Sequence, residues 1–120
     1  RDSAGFRVAP PSDVGQDEYI VDIGPRAVAR FSSLAAQAKT VVWNGPLGYA
    51  EVPEFARGTL AFARALRRAK GYRVIGGGDT LAALERGGLL SGYDHISTGG
   101  GAMLEFLAGE KLPGIEALKR

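Results

Sequence analysis

Two glycine triplets, each placed directly after a short apolar run, stand out in this sequence. Residues 74–79 read VIGGGD and residues 95–101 read HISTGGG, so each triplet follows a short stretch of strand-like residues. A glycine within an ordered helix or strand lowers the stability of the fold by roughly 0.5–1 kcal/mol relative to alanine, because its backbone loses more conformational freedom on folding. The repeated placement therefore indicates that the fold needs bare backbone at both turns.

The sequence around these turns alternates short apolar runs with helical patterns. This alternation is typical of βα units that stack into a parallel sheet with helices on its faces, and it predicts an α/β fold. Strands are predicted at residues 6–9, 19–23, 40–43, 73–75 and 95–97.

Apolar residues at helical spacing predict four helices between and after these strands. The first contains Ala27, Val28, Phe31, Leu34, Ala35 and Ala38. The second contains Phe55, Thr59, Phe62 and Leu66, with Pro53 in its first turn. The third runs from about Thr80 to Gly87 and the fourth from about Ala102 to Gly109.

Length and composition indicate a single domain and argue against several classes of protein. The 120 residues suit one domain. The formal net charge of +2 is too small to indicate a nucleic-acid or membrane partner, and the lack of cysteine excludes disulfides. No apolar run is long enough to span a membrane, and the first residues lack the apolar region of a signal peptide. We therefore expect a cytoplasmic protein with a small ligand.

The two triplets occupy the position where parallel sheets bind ligands. Such ligands lie outside the carboxyl ends of the strands, where helix N-termini offer unpaired N–H groups to anions. Glycine lets a phosphate approach this backbone closely. Residues 76–78 and 99–101 therefore predict a phosphate site, although they could instead serve only tight turns and close helix packing. Neither triplet matches the common dinucleotide or P-loop pattern.

Asp79 follows the first triplet directly and has two possible roles. It could cap a helix that begins at Thr80, where Asp is among the preferred residues. Alternatively, its carboxylate could hold Mg²⁺ together with substrate phosphate oxygens. In that case Thr80 would add a hydroxyl and a backbone N–H to the same phosphates.

The third predicted strand ends in another turn at the same edge, within TVVWNGPLGYAEVPEF at residues 40–55. Asn44 could donate its amide to a phosphate oxygen or close an Asx turn before Gly45. Glu51 is either a solvated acid or an acceptor for ribose hydroxyls. Trp43 is expected to be buried in the strand, and His95, the single histidine, is expected to have a structural role.

Taken together, VVWNGPLG, VIGGGDT and HISTGGGAMLEFLAGEKLPGIEAL resemble the carboxyl-terminal part of the phosphoglycerate kinase family, from about residue 21 to Leu118. The resemblance implies a two-domain, hinge-closing glycolytic enzyme. Such an enzyme exchanges a phosphoryl group between 1,3-bisphosphoglycerate and Mg²⁺-bound ADP, giving 3-phosphoglycerate and ATP. Residues 1–120 would form part of its Rossmann-like nucleotide-binding domain, and the amino-terminal substrate domain would be absent.

The resemblance also implies roles for individual residues. Asn44 would lie along the nucleotide phosphates, Glu51 would bind the ribose, and Asp79 would bind Mg²⁺. The nucleotide phosphates would also contact Gly77, Gly78 and Thr80. The backbone N–H groups of Gly77 and Gly100 would hold the phosphoryl group during transfer, and Ser97 and Thr98 would belong to the hinge.

The chain departs from the family pattern in two ways. Tyr49 and Ala50 precede Glu51 where the family commonly has a Val-Phe pair. The family's Gly-Gly-Ala-Lys turn, whose lysine helps to hold the transferred phosphoryl group, is also missing from these residues. We therefore expect the chain alone to be inactive, and to associate through exposed sheet edges with a second copy or a complementing chain.

Overall fold

The computed structural model describes residues 6–97. In this part of the chain the helices are α1 (Pro25–Gln37), α2 (Arg57–Arg68) and α3 (Gly78–Arg86). The strands are β1 (Thr40–Asn44), β2 (Tyr72–Gly76) and β3 (His95–Ser97). Two short 3-10 turns lie at Pro11–Asp13 and Pro53–Phe55.

The strands form one parallel sheet in the order β1-β2-β3. Each connection between neighbouring strands contains a helix, as a parallel pair requires. The predicted fold class, a partial Rossmann-like α/β domain, is confirmed. Helices were predicted on both faces of the sheet, whereas the described helices all contribute to one core cluster. Because all strands point the same way, Asn44, Gly76 and Ser97 lie side by side at their carboxyl ends.

The core lies on one face of this sheet. Trp43 of β1 meets Phe62 of α2 edge to face, with ring centroids 5.0 Å apart. Buried residues from every described helix join the same cluster, which comprises Ala35, Trp43, Phe62, Ala63, Leu66, Ala69, Ile75, Leu84 and Leu89. The prediction that Trp43 is buried is therefore confirmed.

The other face of the sheet is open in the described residues. Side chains alternate along a strand, so Val42 points away from Trp43, and Val42 pairs with Val74 in the register. Val42 is 41% exposed and Tyr72 is 53% exposed. Large apolar side chains therefore remain in contact with solvent on this face.

The predicted strands at residues 6–9 and 19–23 are wrong. A strand needs a neighbouring strand to pair its backbone groups, and neither segment pairs with β1, β2 or β3. Other contacts hold these segments instead, including the Tyr49 N–H, which donates to the Val21 carbonyl at 2.7 Å. The Arg7 guanidinium donates to both carboxylate oxygens of Glu18, at 2.9 and 2.8 Å. These bonds, together with one from the Gly15 N–H, lower the pKa of Glu18 to about 2. The Phe6 ring packs edge to face on Phe55.

Three predicted helices are confirmed, but two of their starts were misplaced. Pro53 begins a 3-10 turn that precedes α2 instead of lying in its first turn. The third helix begins at Gly78, two residues before Thr80. The predicted fourth helix, from about Ala102 to Gly109, lies outside the described residues.

Arg73 ties the carboxyl end of α2 to the sheet. Its guanidinium donates to the carbonyls of Leu66 and Arg67, at 3.2 and 2.8 Å, where a helix favours positive charge. Asp94 accepts hydrogen bonds from the side chain and the backbone N–H of Arg73, and these lower the pKa of Asp94 below its usual value. The start of β2 is thereby held against the end of α2.

The core predicts how two leucine substitutions will differ. Leu66 is fully buried in the core cluster, so Leu66→Ala leaves a cavity and should lower the free energy of unfolding by about 2–5 kcal/mol. Leu34 on α1 is 58% exposed, so Leu34→Ala should cost less than about 1 kcal/mol. Urea unfolding of both variants measures these costs. Equal losses would contradict the described packing.

Candidate functional site

The carboxyl edge of the sheet holds most of the predicted site residues. The chain leaves β1 at Gly45 and β2 at Gly77, and these glycines have φ of +115° and +95°. Residues with a Cβ rarely adopt such values, so glycine is needed at both turns. The prediction that the turn after β2 requires bare backbone is confirmed at Gly77.

Gly77 is also the N-cap of α3. The first hydrogen bond of the helix runs from the Leu81 N–H to the Gly77 carbonyl, at 3.0 Å. The interpretation of Asp79 as the cap is wrong, because Asp79 is the second residue of the helix and no side chain caps it. The positive φ of Gly77 turns the chain into the helix two residues earlier, which leaves Asp79 exposed at the N-terminus of α3.

Asn44 and Gly77 are close neighbours across the two turns. A Cβ placed on Gly77 would lie 3.1 Å from Oδ1 of Asn44. A Cβ placed on Gly78 would have no atom within 4 Å, so the space beside Gly78 is open. The Asn44 side chain therefore lies over the bare Gly77 backbone, next to an unfilled space at the helix N-terminus.

Buried hydroxyls hold the turn after β1 in place. The Thr80 Oγ1 accepts from the Gly45 N–H at 2.7 Å, and the Trp43 indole donates to the Gly45 carbonyl at 2.7 Å. The Thr59 Oγ1 accepts from the Leu47 N–H at 2.9 Å. Both threonines are fully buried. The sequence pattern predicted only that Thr59 faces the core. A hydroxyl at an apolar position of a helix was the one sequence feature that pointed to its hydrogen bond with Leu47.

A cleft of about 440 Å³ opens at this edge. Glu51 and Asp79 both line it, and both are exposed. No lysine or arginine is among its lining residues in the described part of the chain, which are Ile20, Val21, Asp22, Ile23, Pro46, Leu47, Gly48, Tyr49, Glu51 and Asp79. Its charged groups are thus carboxylates, and the Asn44 side chain lies at the same edge of the sheet, beside Gly77.

Asp22 is a charged residue of this cleft that sequence reasoning missed. Its carboxylate accepts backbone N–H groups from Ile23 and Gly58, each at 2.8 Å. Burial raises the pKa of Asp22, and the two hydrogen bonds partly oppose that shift. Nothing in the spacing of Asp22 indicated these contacts, because Gly58 is 36 residues away.

A second, larger groove lies away from the glycine turns. It has a volume of about 500 Å³ and lies between residues 6–29 and the start of α2. Apolar side chains such as Phe6, Val8 and Phe55 dominate its walls. It includes none of residues 44–51 or 76–80, so its larger volume does not make it the candidate phosphate site.

Several predicted residues are not part of this geometry. Gly100 and Thr98 lie outside the described residues, and Ser97 is the last described residue, in register with Gly76. His95 is exposed on β3. Within residues 6–97 no group of three or more metal-binding side chains could hold an ion by itself. None of the helices described there has the length and apolar character needed to cross a bilayer.

Comparisons with known proteins agree on one family. The family model for phosphoglycerate kinase matches residues 2–110. Curated relatives include the phosphoglycerate kinase of Bdellovibrio bacteriovorus, which is 45% identical over 98% of this chain. The phosphoglycerate kinase of Francisella tularensis subsp. novicida is 49% identical over 90% of the chain. The chain spans 29% and 28% of the lengths of these relatives.

Solved structures show the same similarity. A phosphoglycerate kinase from Coxiella burnetii superposes with a TM-score of 0.82 and 47% identity, covering 89% of this chain and 28% of that one. The enzyme from Pyrococcus horikoshii superposes with a TM-score of 0.80 and 42% identity, covering 86% and 25%. The described fold is therefore one part of a larger architecture.

The site geometry predicts opposite outcomes for two adjacent glycines. Gly77→Ala forces a residue with a Cβ to adopt positive φ against Asn44, and should cost about 1–3 kcal/mol of stability. Gly78→Ala places its methyl in open space within a helix, so stability should stay within about 0.5 kcal/mol or rise. Thermal and urea unfolding measure both changes. A Gly77→Ala variant as stable as Gly78→Ala would contradict the described turn.

Proposed function

Because the chain belongs to the phosphoglycerate kinase family, we propose that it supplies the nucleotide- and phosphate-binding part of such an enzyme. The reaction is reversible phosphoryl transfer from 1,3-bisphosphoglycerate to Mg²⁺-bound ADP, giving 3-phosphoglycerate and ATP. One observation carries the proposal. The N-terminus of α3, with positive-φ Gly77 beneath Asn44, borders a cleft that also contains Glu51 and Asp79.

The backbone at the start of α3 is suited to hold phosphates. The first N–H groups of a helix have no partner within the helix and carry partial positive charge. The space beside Gly78 is open, so phosphate oxygens have room to approach these groups. In this proposal the backbone N–H groups of Gly77 and Gly78 contact the nucleotide phosphates, and Asn44 donates its amide to the same chain of phosphates. Thr80, assigned to the phosphates by motif, is fully buried and its hydroxyl accepts the Gly45 N–H, so it holds the turn after β1 instead.

Catalysis by these groups consists of positioning and charge stabilisation. Phosphoryl transfer spreads negative charge over the equatorial oxygens of the moving group, and fixed N–H donors stabilise that charge. We assign this role to the backbone of Gly77 and, by motif, to that of Gly100. The hinge role of Ser97 and Thr98 likewise derives from the motif. Gly100 and Thr98 lie outside the described residues.

The carboxylates of the cleft fit a magnesium nucleotide. Mg²⁺ is commonly held by one or two carboxylates together with phosphate oxygens and water. Asp79 is exposed at the N-terminus of α3 and lines the cleft, so its oxygens are available to such an ion. The ion would neutralise part of the phosphate charge. Glu51 lines the same cleft and would accept hydrogen bonds from the ribose hydroxyls.

The charge of the cleft also suggests where the acid substrate does not bind. Bisphosphoglycerate carries several negative charges, whereas the described lining residues include two exposed carboxylates and no cationic side chain. We therefore propose that 1,3-bisphosphoglycerate and 3-phosphoglycerate bind to parts of the enzyme beyond this chain. From the family membership we further propose that the protein acts in glycolysis in the cytoplasm.

A second candidate function is nucleotide binding without catalysis. The chain spans only 29% of the length of the Bdellovibrio relative, which favours an inactive fragment. The open face with Val42 and Tyr72, and the unpaired edge of β1 in the described sheet, favour association with a second copy or a complementing chain.

Calorimetric titration of ADP, with and without Mg²⁺, tests the nucleotide site. Binding should depend on Mg²⁺, and Asp79→Ala should weaken it on the order of tenfold, since it removes a charged ligand. Glu85→Ala is the matched control, because Glu85 is an exposed acid of the same helix that does not line the cleft. Equal affinity in the Asp79→Ala variant would refute the assigned metal role.

Sedimentation velocity over a range of concentrations tests the association. The chain should form species larger than the monomer. Val42→Lys should shift it toward the monomer, because a charge on the open face disfavours burial there. Val8→Lys is the control, since Val8 is exposed elsewhere, at 68%. A monomer at every concentration would contradict the association, and phosphoglycerate turnover by that monomer would refute inactivity of the chain alone.

A further inference from the structure

Asp22 joins the start of α2 to the segment that precedes α1. The helix has no side-chain cap of its own at Ala56, and the Gly58 N–H in its first turn donates to the Asp22 Oδ2 at 2.8 Å. The other oxygen, Oδ1, accepts the Ile23 N–H at 2.8 Å. Asp22 therefore caps α2 from a segment distant in sequence, where a negative charge is also favourable to the helix dipole.

The turn that carries Glu51 packs directly on Asp22. A Cβ placed on Gly48 would lie 2.8 Å from the Asp22 Cα, so the two backbones are in close contact. The Tyr49 N–H donates to the Val21 carbonyl at 2.7 Å. Within the turn, the Val52 N–H donates to the Tyr49 carbonyl at 3.1 Å. Residues 48–52 thus form a hydrogen-bonded turn whose first two residues are anchored to the segment containing Asp22.

We propose that Asp22 is a positioning residue for nucleotide binding, which holds the turn of residues 48–52 so that Glu51 faces the ribose. This inference rests on the ribose role proposed for Glu51. Asp22 acts through the backbone of the turn and through α2.

The contacts around the turn explain why one carboxylate has this effect. At the start of the turn, the Leu47 N–H donates to Thr59 of α2 at 2.9 Å. Ala50, in the middle of the turn, packs with Ala56, Leu60 and Ala83, and the Arg86 guanidinium donates to its carbonyl at 3.1 Å. The Tyr49 side of the turn instead reaches α2 through the segment of Asp22, whose two oxygens both accept backbone N–H groups. If Asp22 loses one of its two acceptor oxygens, the neighbouring Val21 is held less firmly. The hydrogen bond from the Tyr49 N–H to the Val21 carbonyl then weakens. Glu51 follows Tyr49 by two residues and moves with it.

Asp22→Asn is the variant that tests this role. Asn keeps the shape of the side chain but offers one acceptor oxygen, so one of the two N–H groups loses its partner. Arg73→Met is the matched control, because it removes contacts at the opposite end of the same helix. Calorimetry compares binding of ADP with binding of pyrophosphate, which has no ribose, both in the presence of Mg²⁺.

We expect Asp22→Asn to weaken ADP binding by about tenfold and pyrophosphate binding by less than about twofold. Arg73→Met should change the ratio of the two affinities by less than about twofold. In the Asp22→Asn background, adding Glu51→Gln should cost much less than it does in the native chain, because the two residues act through one turn. Equal weakening of ADP and pyrophosphate, or additive effects of the two substitutions, would overturn the proposal.

Amide hydrogen exchange of the ligand-free chain tests the positioning without any ligand. Asp22→Asn should reduce protection of the Tyr49 and Val52 amides by about tenfold, while the β2 amides keep theirs. Arg73→Met should leave Tyr49 and Val52 unchanged. If the native chain binds no ADP, the proposed function fails, and exchange alone decides this inference. Unchanged protection of Tyr49 in Asp22→Asn would overturn it in either case.

Discussion

The parallel register of β1 and β2 is the constraint on which the site depends. It places Asn44 opposite Gly76, so the two strands end at the same level and both turns leave the sheet at one edge. The Asn44 side chain then lies over Gly77, and the N-terminus of α3 opens toward the same cleft. A shift of one residue would move each side chain of β1 to the other face and separate these groups.

Buried hydroxyls make this edge rigid. Thr59 and Thr80 are fully buried, and each has its oxygen paired with a backbone N–H of the turn after β1. A buried N–H without a partner is costly, so these contacts hold the turn in one position. Trp43 connects the turn to the core, because its indole donates to Gly45 while its ring packs on Phe62. Packing and site geometry are therefore coupled through the same few residues.

The charges at the two ends of α2 are complementary to its dipole. Asp22 accepts the Gly58 N–H at the amino end, and Arg73 donates to the last carbonyls at the carboxyl end. Both charged residues lie outside the helix, Asp22 before α1 and Arg73 on β2. The helix thereby links the start of β2 to the cleft, and its own burial against the sheet fixes the distance between them.

The elements that depend on local residue pattern were predictable without a structure. The sequence predicted three strands and three helices of the described region, the bare backbone at Gly77, and the meeting of Asn44, Glu51 and Asp79 at one edge. These predictions succeeded because the spacing of apolar residues specifies each helix and strand. In a parallel sheet, the carboxyl ends of the strands also lie at one edge.

Features that need a partner distant in the chain were not predictable from local pattern. Residues 6–9 and 19–23 have strand-like composition, but a strand forms only where another strand pairs with it. Asp79 has the chemistry of a cap, yet the positive φ of Gly77 starts the helix before it. The contacts of Asp22 and Thr59 join residues far apart in the chain. Local propensity carries no information about such contacts, because their free energy arises only when packing brings both partners together.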